Sequence, residues 1–302
     1  MKAAVLHGPG EVPEYTDFDD PPVTEGRELV EMIAAGIHPV VRSIASGRHY
    51  GSTGSWPLIP GVDGVARTAG GTLVYTGFVQ PPYGTLAERA VVPASRQLPL
   101  PAGVAPERVA AGMNPGMSSW LPLRQRLTEI SALGTVLILG ATGMAGLLAV
   151  QNALALGADR VVAAGRNPDA LDRAAGFGAT VAILREDRDA TAAALAEALA
   201  GQEPSLVLDF VWGPHAEAAF LAAAQPPHPH LRQRRRVGLA VVDRDRDARV
   251  PAVDRGRPGG RANPGLPAVR GQGRVAGIHG QREPRSSRSR LLISPSGLVA
   301  AR

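Results

Sequence analysis

Residues 135–146 have the sequence Thr135-Val136-Leu137-Ile138-Leu139-Gly140-Ala141-Thr142-Gly143-Met144-Ala145-Gly146. The apolar run before the first glycine is typical of a buried parallel strand, and the following residues, 144–156, are typical of a helix ended by Gly157. A strand, a glycine-rich turn and a helix in this order indicate a nucleotide-binding unit within an α/β fold.

The glycine spacing in this turn suits a dinucleotide. Gly140, Gly143 and Gly146 allow a tight turn, close approach of a pyrophosphate and close packing of the helix on the sheet. We expect the pyrophosphate to lie on the backbone of residues 140–146 (Gly140, Ala141, Thr142, Gly143, Met144, Ala145 and Gly146), at the positive end of the helix dipole. The alternative is a structural glycine turn in some other α/β protein.

The residues after the next predicted strand bear on the choice of dinucleotide. The apolar run 161–164 ends about 20 residues after the last glycine, where such sites contact the ribose. An acidic residue there would favour NADH, but the chain has Gly165-Arg166-Asn167. Arg166 can pair with a 2′-phosphate, and Asn167 with Pro168 predicts the cap of the next helix. NADPH is therefore favoured, the alternative being that Arg166 is a solvated surface arginine.

The composition is that of a globular chain. Its 302 residues suit two domains, 44% of them are hydrophobic, and no run reaches the roughly 18 apolar residues of a membrane helix. Because the chain has no cysteine, disulfides and thiolate ligation of zinc are excluded. Residues 1–6 have no secretory pattern and predict a first strand. We expect a cytoplasmic protein with no membrane partner and no metal.

The pattern along the chain predicts three regions. Residues 1–104 contain short apolar runs separated by Pro and Gly, which is typical of a β-rich domain, and residues 97–101 are predicted to be a linker. Residues 105–224 begin with a helical stretch and then alternate strand and helix, which predicts a parallel sheet covered by helices. At the carboxyl ends of its strands we expect the turn of residues 140–146, Arg166 and the turn that contains Trp212 to meet.

Residues 225–302 differ in character and carry most of the basic charge. They contain 17 arginines and five acidic residues, whereas residues 1–224 carry a net negative charge. With little periodicity outside residues 237–242 and 291–298, this tail is predicted to be irregular or disordered. We interpret it as translated out of frame. The chain has 31 arginines and one lysine, which indicates a GC-rich gene, and shifted GC-rich codons encode mostly Arg, Pro and Gly. The alternative is a native basic arm, and nucleic-acid binding through it is not expected.

Residues 1–224 resemble the zinc-independent quinone oxidoreductases of the medium-chain dehydrogenase/reductase superfamily. The resemblance rests on the β-rich first domain, on Pro60-Gly61-Val62-Asp63-Gly64-Val65 and on the glycine turn of residues 140–146. It implies a GroES-like catalytic domain followed by a Rossmann domain that binds NADPH, often in a homodimer whose seam is in doubt here. The zinc-dependent branch has Gly-His-Glu where this chain has Gly61-Val62-Asp63, so the resemblance implies no zinc.

The resemblance also implies site residues. His38 lies where the family has an active-site asparagine, and Tyr50 where it has an active-site tyrosine, so both are candidate catalytic donors. Residues 114–120 resemble a helix start near the nicotinamide, where Ser118 would contact the cofactor and Asn114 the substrate. His38 could instead be structural, Ser118 a helix N-cap, and we expect His49 at the surface.

Two functions follow from this sequence. The first is an NADPH-dependent reductase that transfers hydride to a small-molecule substrate, either a quinone or an α,β-unsaturated carbonyl. The second is a nucleotide-binding protein without turnover, either a sensor or a defective gene product, in which His38 and Tyr50 face no organised substrate pocket.

Overall fold

Two five-stranded sheets organise the described part of the chain, which comprises residues 1–224 and three short strands at 238–241, 290–294 and 297–301. In this computed structural model the first sheet is antiparallel and formed before residue 100, and the second is parallel and begins at residue 135. The predicted α/β fold class is therefore confirmed. What we predicted for the rest of 225–302, including the out-of-frame interpretation, lies outside the described residues.

The first sheet is built from short strands separated by loops. In chain order its region contains β1 (Lys2–Val5), β2 (Glu14–Asp17), β3 (Arg27–Ala35), α1 (Pro39–Ala45), β4 (Asp63–Arg67), β5 (Leu73–Gly77), β6 (Arg89–Pro93), a 3₁₀ turn (Ala94–Arg96) and β7 (Leu98–Pro99). The strand order is β6-β3-β4-β5-β7, and β1 pairs separately with β2. Alternate residues of β3, Val30 and Met32, are buried against Ala66 and Val74, as expected for a sheet with one covered face.

The predicted linker at residues 97–101 is partly wrong. Leu98 and Pro99 pair with Tyr75 and Val74 of β5, and they form the edge strand β7 of the first sheet. Proline disfavours strands because it lacks an amide proton, but an edge strand needs only one of its sides paired. The proline-rich composition therefore concealed a strand that the sheet accommodates.

A 24-residue helix, α2 (Pro106–Glu129), connects the two sheets. The prediction that a helix starts at residues 114–120 is wrong, because these residues lie inside α2, and Pro115 and Pro122 are both interior. Each proline removes one helical hydrogen bond. Packing of α2 against β3, β4 and the helix after β8 offsets this loss, and Ala110 and Leu123 on its inner face are fully buried.

The second sheet has the order β10-β9-β8-β11-β12 with all strands parallel. Its region contains β8 (Thr135–Leu139), α3 (Met144–Ala155), β9 (Arg160–Gly165), α4 (Pro168–Gly176), β10 (Thr180–Ile183), α5 (Arg188–Leu199), β11 (Leu206–Asp209), α6 (Pro214–Ala224) and β12 (Gly238–Val241). A separate antiparallel pair is formed by β13 (Arg290–Ser294) and β14 (Gly297–Ala301). The predicted alternation of strand and helix up to residue 224 is confirmed element by element.

Helices cover both faces of this parallel sheet. Val136 and Ile138 of β8 are buried with residues of α3, while Leu137 and Leu139 are buried on the opposite face with residues of α5 and α6. Both faces being covered explains why β8 is a continuous apolar run rather than an alternating one. The glycine turn after Leu139 therefore leaves the carboxyl end of a strand at the centre of the sheet.

Among the described helices, none combines the length and the apolar character that crossing a lipid bilayer requires. Of the three short strands after residue 224, β12 lies within the apolar stretch 237–242, β13 lies mostly within the stretch 291–298, and β14 begins in that stretch and continues to residue 301. Gly238–Val241, within the first of these stretches, extends the parallel sheet next to β11.

Candidate active site

The three glycines of the turn after β8 have different surroundings. Gly140 has a φ of +86°, and a Cβ there would come within 2.9 Å of the side chain of Val211. A Cβ on Gly146 would lie 2.3 Å from the carbonyl oxygen of Gly140, so glycine is required for α3 to approach the turn. A Cβ on Gly143 would have no neighbour closer than 3.9 Å. Gly143 is therefore the position where the backbone is open to a ligand.

The start of α3 offers donors to an anion. Gly143 is the N-cap and makes no side-chain cap hydrogen bond, and the first turn contains no acidic residue. The amide of Leu147 donates to the carbonyl of Gly143 at 2.9 Å, so the amides of residues 144–146 precede the first bonded turn of the helix. Together with the helix dipole they form a site that fits a pyrophosphate.

A cavity of about 570 Å³ lies at the carboxyl ends of β9 and β10, and its lining includes no residue of the glycine turn. It is lined by Arg166, Ile183, Leu184, Arg185, Glu186, Pro214 and His215. Arg166 and Arg185, which follow the neighbouring strands β9 and β10, thus border one cavity, and part of its lining is apolar. Such a cavity suits a flat heterocycle joined to a phosphate, and Arg166 lies in it as the sequence predicted for the ribose end of the cofactor.

Close packing and hydrogen bonds fix the backbone around this cavity. A Cβ on Gly165 would lie 2.5 Å from the methyl carbon of Thr142, so this glycine lets β9 contact the glycine turn. Asn167 accepts a hydrogen bond from the amide of Ala170 at 3.3 Å, which confirms the predicted cap of α4. The amide of Arg185 donates to the hydroxyl of Thr191 at 2.9 Å, and this contact fixes the start of the loop that carries the second arginine.

Asp209 ends β11 and shapes the turn that follows. Its Oδ1 accepts hydrogen bonds from the amides of Val211 at 2.8 Å and Trp212 at 2.9 Å. Its Oδ2 is buried without a hydrogen-bond partner among the described residues. Trp212 has a φ of +60°, and its side chain is 62% exposed. The unpartnered carboxylate oxygen, one strand away from the glycine turn, can accept a hydrogen bond from a ligand hydroxyl or a water.

A second group of polar side chains lies in the first sheet. Nε2 of His38 is 3.3 Å from Oδ1 of Asp63, and the hydroxyl of Tyr75 donates a short hydrogen bond to Oδ2 of Asp63. All three side chains are buried. The His38–Asp63 contact has the distance of an ion pair without the angle of a hydrogen bond, since both facing atoms lack a hydrogen-bond partner among the described residues.

The Tyr75 phenol in this group is protonated. Burial is the main cause that raises the pKa of Tyr75 far above its ordinary value, and the charge of Asp63 and the hydrogen bond to it act in the same direction. The phenol therefore keeps its proton and acts as a donor to Asp63. Asp63 accepts from Tyr75 on one oxygen and faces His38 with the other.

The imidazole of His38 lies between β3 and α2. A Cβ on Gly36 would come within 2.2 Å of Nε2 of His38 and 2.5 Å of the carbonyl oxygen of Ala110. Asn114 and Ser118 follow Ala110 at intervals of four residues and so share its face of α2. The hydroxyl of Ser118 donates to the carbonyl of Pro115 at 2.5 Å, and Ser118 is not a helix N-cap. Asn114 and Ser118 are half-buried on the helix that His38 approaches.

Tyr50 is not part of this group. Its side chain is 68% exposed and stacks on His49, with the ring centroids 4.2 Å apart. Within the described part of the chain it makes no hydrogen bond or ring contact with His38, Asp63 or Tyr75. His49, which we expected at the surface, is partly exposed and accepts a hydrogen bond from the amide of Gly51. The two predicted catalytic donors are therefore in different environments.

The sequence interpretation did not include Asp63, Tyr75, Arg185 or Asp209 as functional residues. A signal for Asp209 was present, because it is an acidic residue at the end of an apolar strand, whereas Asp63 begins the short strand β4. Arg185 likewise follows a strand that runs parallel to the one before Arg166. For Tyr75 the sequence contained no signal, since its partner Asp63 comes from a different strand.

No group of three or more His, Asp or Glu side chains that could hold a metal ion occurs among the described residues. Val62, which the resemblance aligns with a zinc-ligand histidine of the zinc-dependent branch, has a side chain with no metal-binding atom. His38 and Asp63 thus form a pair rather than a metal-binding cluster.

Comparisons with known proteins found similar sequences and similar folds. A family model described as zinc-binding dehydrogenase matches residues 145–226. The probable NADPH-dependent quinone reductase tdiC of Emericella nidulans is 30% identical over 190 residues, which are 53% of this chain and 53% of that protein. The chain thus spans about half the length of this curated relative.

Solved structures match over more of the chain. The quinone oxidoreductase from Thermus thermophilus, also solved in complex with NADPH, has 29% identity and a TM-score of 0.62, covering 80% of this chain and 79% of that one. An alcohol dehydrogenase superfamily protein from Novosphingobium aromaticivorans has 28% identity and a TM-score of 0.65, covering 80% and 72%.

Proposed function

We propose that this chain, a quinone-oxidoreductase-like member of the medium-chain dehydrogenase/reductase superfamily, uses NADPH to reduce a quinone or an α,β-unsaturated carbonyl. The observation that carries the proposal is the open backbone at Gly143, at the same edge of the sheet as a cavity bordered by Arg166 and Arg185. A pyrophosphate on the first turn of α3 would leave the adenosine end of the cofactor in that cavity. The names of the tdiC and Thermus thermophilus proteins support NADPH as the cofactor and a quinone as the substrate.

The two arginines support NADPH over NADH. NADPH differs by one 2′-phosphate, and the planar guanidinium groups of Arg166 and Arg185 are suited to pair with it. Both side chains are exposed at the cavity, so they can reorient towards a phosphate. Glu186 also lines the cavity, and its carboxylate would oppose a phosphate placed near it. The 2′-phosphate is therefore expected on the Arg166–Arg185 side.

We propose that the reaction needs no zinc. The chain has no cysteine, and valine occupies the position of the ligand histidine. A substrate oxygen must then be stabilised by hydrogen-bond donors and by positioning. NADPH supplies the hydride when bound. His38 is proposed to give a proton to the substrate oxygen, Asn114 and Ser118 to orient substrate and nicotinamide from α2, and Tyr50 to donate from the loop after α1.

The alternative, a nucleotide-binding protein without turnover, is supported by one observation. Tyr50 is largely exposed and has no contact with the His38 group, so the two predicted donors do not converge in this structure. Cytoplasmic location and pairing of two subunits also stay predictions. Under the alternative, the cofactor site functions while the substrate side is not assembled.

Two measurements test the proposal. In a fluorescence titration, NADPH should bind more tightly than NADH, and Arg166→Ala should weaken NADPH binding while changing NADH binding little. NADPH oxidation with a panel of small quinones and enals then separates reductase from binding protein. Equal affinity for the two cofactors in wild type would refute NADPH selectivity, and tight NADPH binding without oxidation of any panel member would favour the alternative.

A further inference from the structure

The buried group in the first sheet suggests a role for two residues that the proposed function does not use. His38 and Tyr75 contact opposite oxygens of the same carboxylate, that of Asp63. Asp63 and Tyr75 come from neighbouring antiparallel strands, with Asp63 opposite Gly77 and Tyr75 opposite Val65. They are thus diagonal neighbours on the sheet, and their relative position is set by strand register.

We propose that Asp63 and Tyr75 are positioning residues that hold His38 with its Nε2–H towards Asp63, so that Nδ1 is the atom that meets the substrate oxygen. This inference rests on the proposed function and deepens it. Nδ1 of His38 has no hydrogen-bond partner among the described residues, so it is the ring atom left for a substrate.

The chemistry follows from the donor inventory of each group. A carboxylate only accepts hydrogen bonds, so the charge of Asp63 favours a proton on the nitrogen that lies 3.3 Å from it, although this contact lacks the angle of a hydrogen bond. A neutral His38 then has its lone pair on Nδ1, and a protonated His38 has an N–H there. When hydride reaches the substrate carbon, the Nδ1 proton passes to the substrate oxygen and the ring returns to the neutral Nε2–H form. Solvent restores the Nδ1 proton.

Tyr75 determines which oxygen of Asp63 is available to His38. Its hydroxyl donates to Oδ2 and, because its pKa is raised, remains a donor. Asp63 is the charged side chain within ion-pair distance of His38 among the described residues. On α2, the carbonyl oxygen of Ala110 borders the same space at Gly36 as Nε2 of His38, and this oxygen is uncharged and only accepts.

The substitution Asp63→Asn tests this arrangement because it is nearly isosteric and replaces one oxygen by an amide donor. Tyr75, as a donor, selects the remaining oxygen, so the new NH₂ group faces His38. An NH₂ group can donate only to a nitrogen with a lone pair, so the imidazole must move its proton to Nδ1. The tautomer of His38 is therefore expected to invert in Asp63→Asn.

The readout is the ¹⁵N NMR spectrum of the histidine rings in the cofactor-free protein, near pH 8, with the His38 signals assigned by their loss in His38→Gln. Wild type should show a protonated Nε2 and an unprotonated Nδ1, Asp63→Asn the reverse, and Tyr75→Phe the wild-type pattern. The double variant Asp63→Asn/Tyr75→Phe should show a mixture, because its amide can flip. A protonated Nδ1 with unprotonated Nε2 in wild type, or an unchanged pattern in Asp63→Asn, would overturn the inference.

Kinetics separate this inference from the proposed function. Asp63→Asn should lower kcat by about 100-fold or more, with KM changed much less, because general acid transfer is worth at least that factor. Tyr75→Phe should lower kcat by about tenfold at most, since the carboxylate remains. Wild-type kcat in His38→Gln would refute the catalytic role of His38. Inversion of the tautomer with unchanged kcat would refute only the positioning role in catalysis.

Discussion

Replacing Gly143 by alanine should impair cofactor binding without impairing the fold. A Cβ at this position would lie 3.9 Å from its nearest neighbour, the carbonyl oxygen of Gly140, and the N-cap φ of −88° is accessible to alanine. Alanine is a poorer N-cap than glycine, which destabilises the protein, but it also lowers the conformational entropy of the unfolded chain, which stabilises the protein by a similar amount. The free energy of unfolding should therefore stay within about 1 kcal/mol of wild type.

The effect on NADPH follows from the same geometry. A methyl group between the turn and a pyrophosphate would push the phosphate oxygens beyond hydrogen-bond distance of the first amides of α3. A hydrogen bond to a charged group is worth about 1.5–3 kcal/mol, which corresponds to a rise of about 10- to 150-fold in Kd. The Kd is measured by quenching of tryptophan fluorescence, and stability by urea unfolding without cofactor.

Gly146→Ala adds the same methyl group in the same turn, so it is the matched control that shows what a substitution does when it disturbs the fold itself. Its Cβ would lie 2.3 Å from the carbonyl oxygen of Gly140 and 2.6 Å from Cα of Ala141, so the backbone itself must move. Overpacking of this kind costs about 3 kcal/mol. A Gly143→Ala protein that is stable and binds NADPH as wild type does would show that no pyrophosphate lies against this turn.

Three further predictions concern single side chains. Arg185→Ala should raise the Kd for NADPH about tenfold, the effect of one lost phosphate contact, and leave the Kd for NADH nearly unchanged in the same titration; equal losses for both cofactors would contradict a 2′-phosphate contact. Gly36→Ala should displace His38, lower kcat and lower the free energy of unfolding measured in urea. The control Gly112→Ala, with no neighbour within 4 Å of its Cβ, should instead stabilise α2 by about 0.5–1 kcal/mol. A normal kcat in Gly36→Ala would argue against a catalytic His38. Asn167→Ala should lower the free energy of unfolding by about 1 kcal/mol through loss of the α4 cap, and no loss would show that the cap is not stabilising.

The parallel sheet could be predicted from the sequence because its signals are local. Continuous apolar runs, glycines after strands and capping residues before helices each act within a few residues. Asn167 illustrates this, since its own side chain caps the helix that its position predicts. The bounds of β8, α3 and β9 were accordingly predicted to within a few residues.

The start of α2 was predicted by the helical stretch that begins residues 105–224, but its continuation to Glu129 could not be predicted in the same way. Pro115 and Pro122 disfavour a continuous helix locally, and the serine at 118 suggested a helix start. In the structure the buried face of α2, which includes Ala110 and Leu123, packs on both sheets and stabilises the helix across both prolines. Tertiary packing outweighs local propensity here, and no window of sequence contains that information.

The contacts of His38 with Asp63 and of Asp63 with Tyr75 could not be predicted from the sequence for a related reason. Asp63 and Tyr75 are 12 residues apart, and their contact depends on which residue of β5 lies opposite Asp63. A shift of one residue would turn the Tyr75 side chain to the other face of the sheet. The sequence predicted His38 from a resemblance alone, whereas its partners follow from a strand register that becomes known only with the fold.

The two parts of the candidate site therefore differ in how they tolerate change. The cofactor side depends mainly on backbone amides and on glycines needed for space or for φ, and the side chains of Arg166 and Arg185 serve the 2′-phosphate. The substrate side depends on three buried side chains and on one register, so a single substitution at Asp63 can alter the proton that His38 carries. We therefore expect cofactor binding to survive mutations in the first sheet that abolish turnover, and variants of this kind would reproduce the binding protein without turnover that is the alternative function.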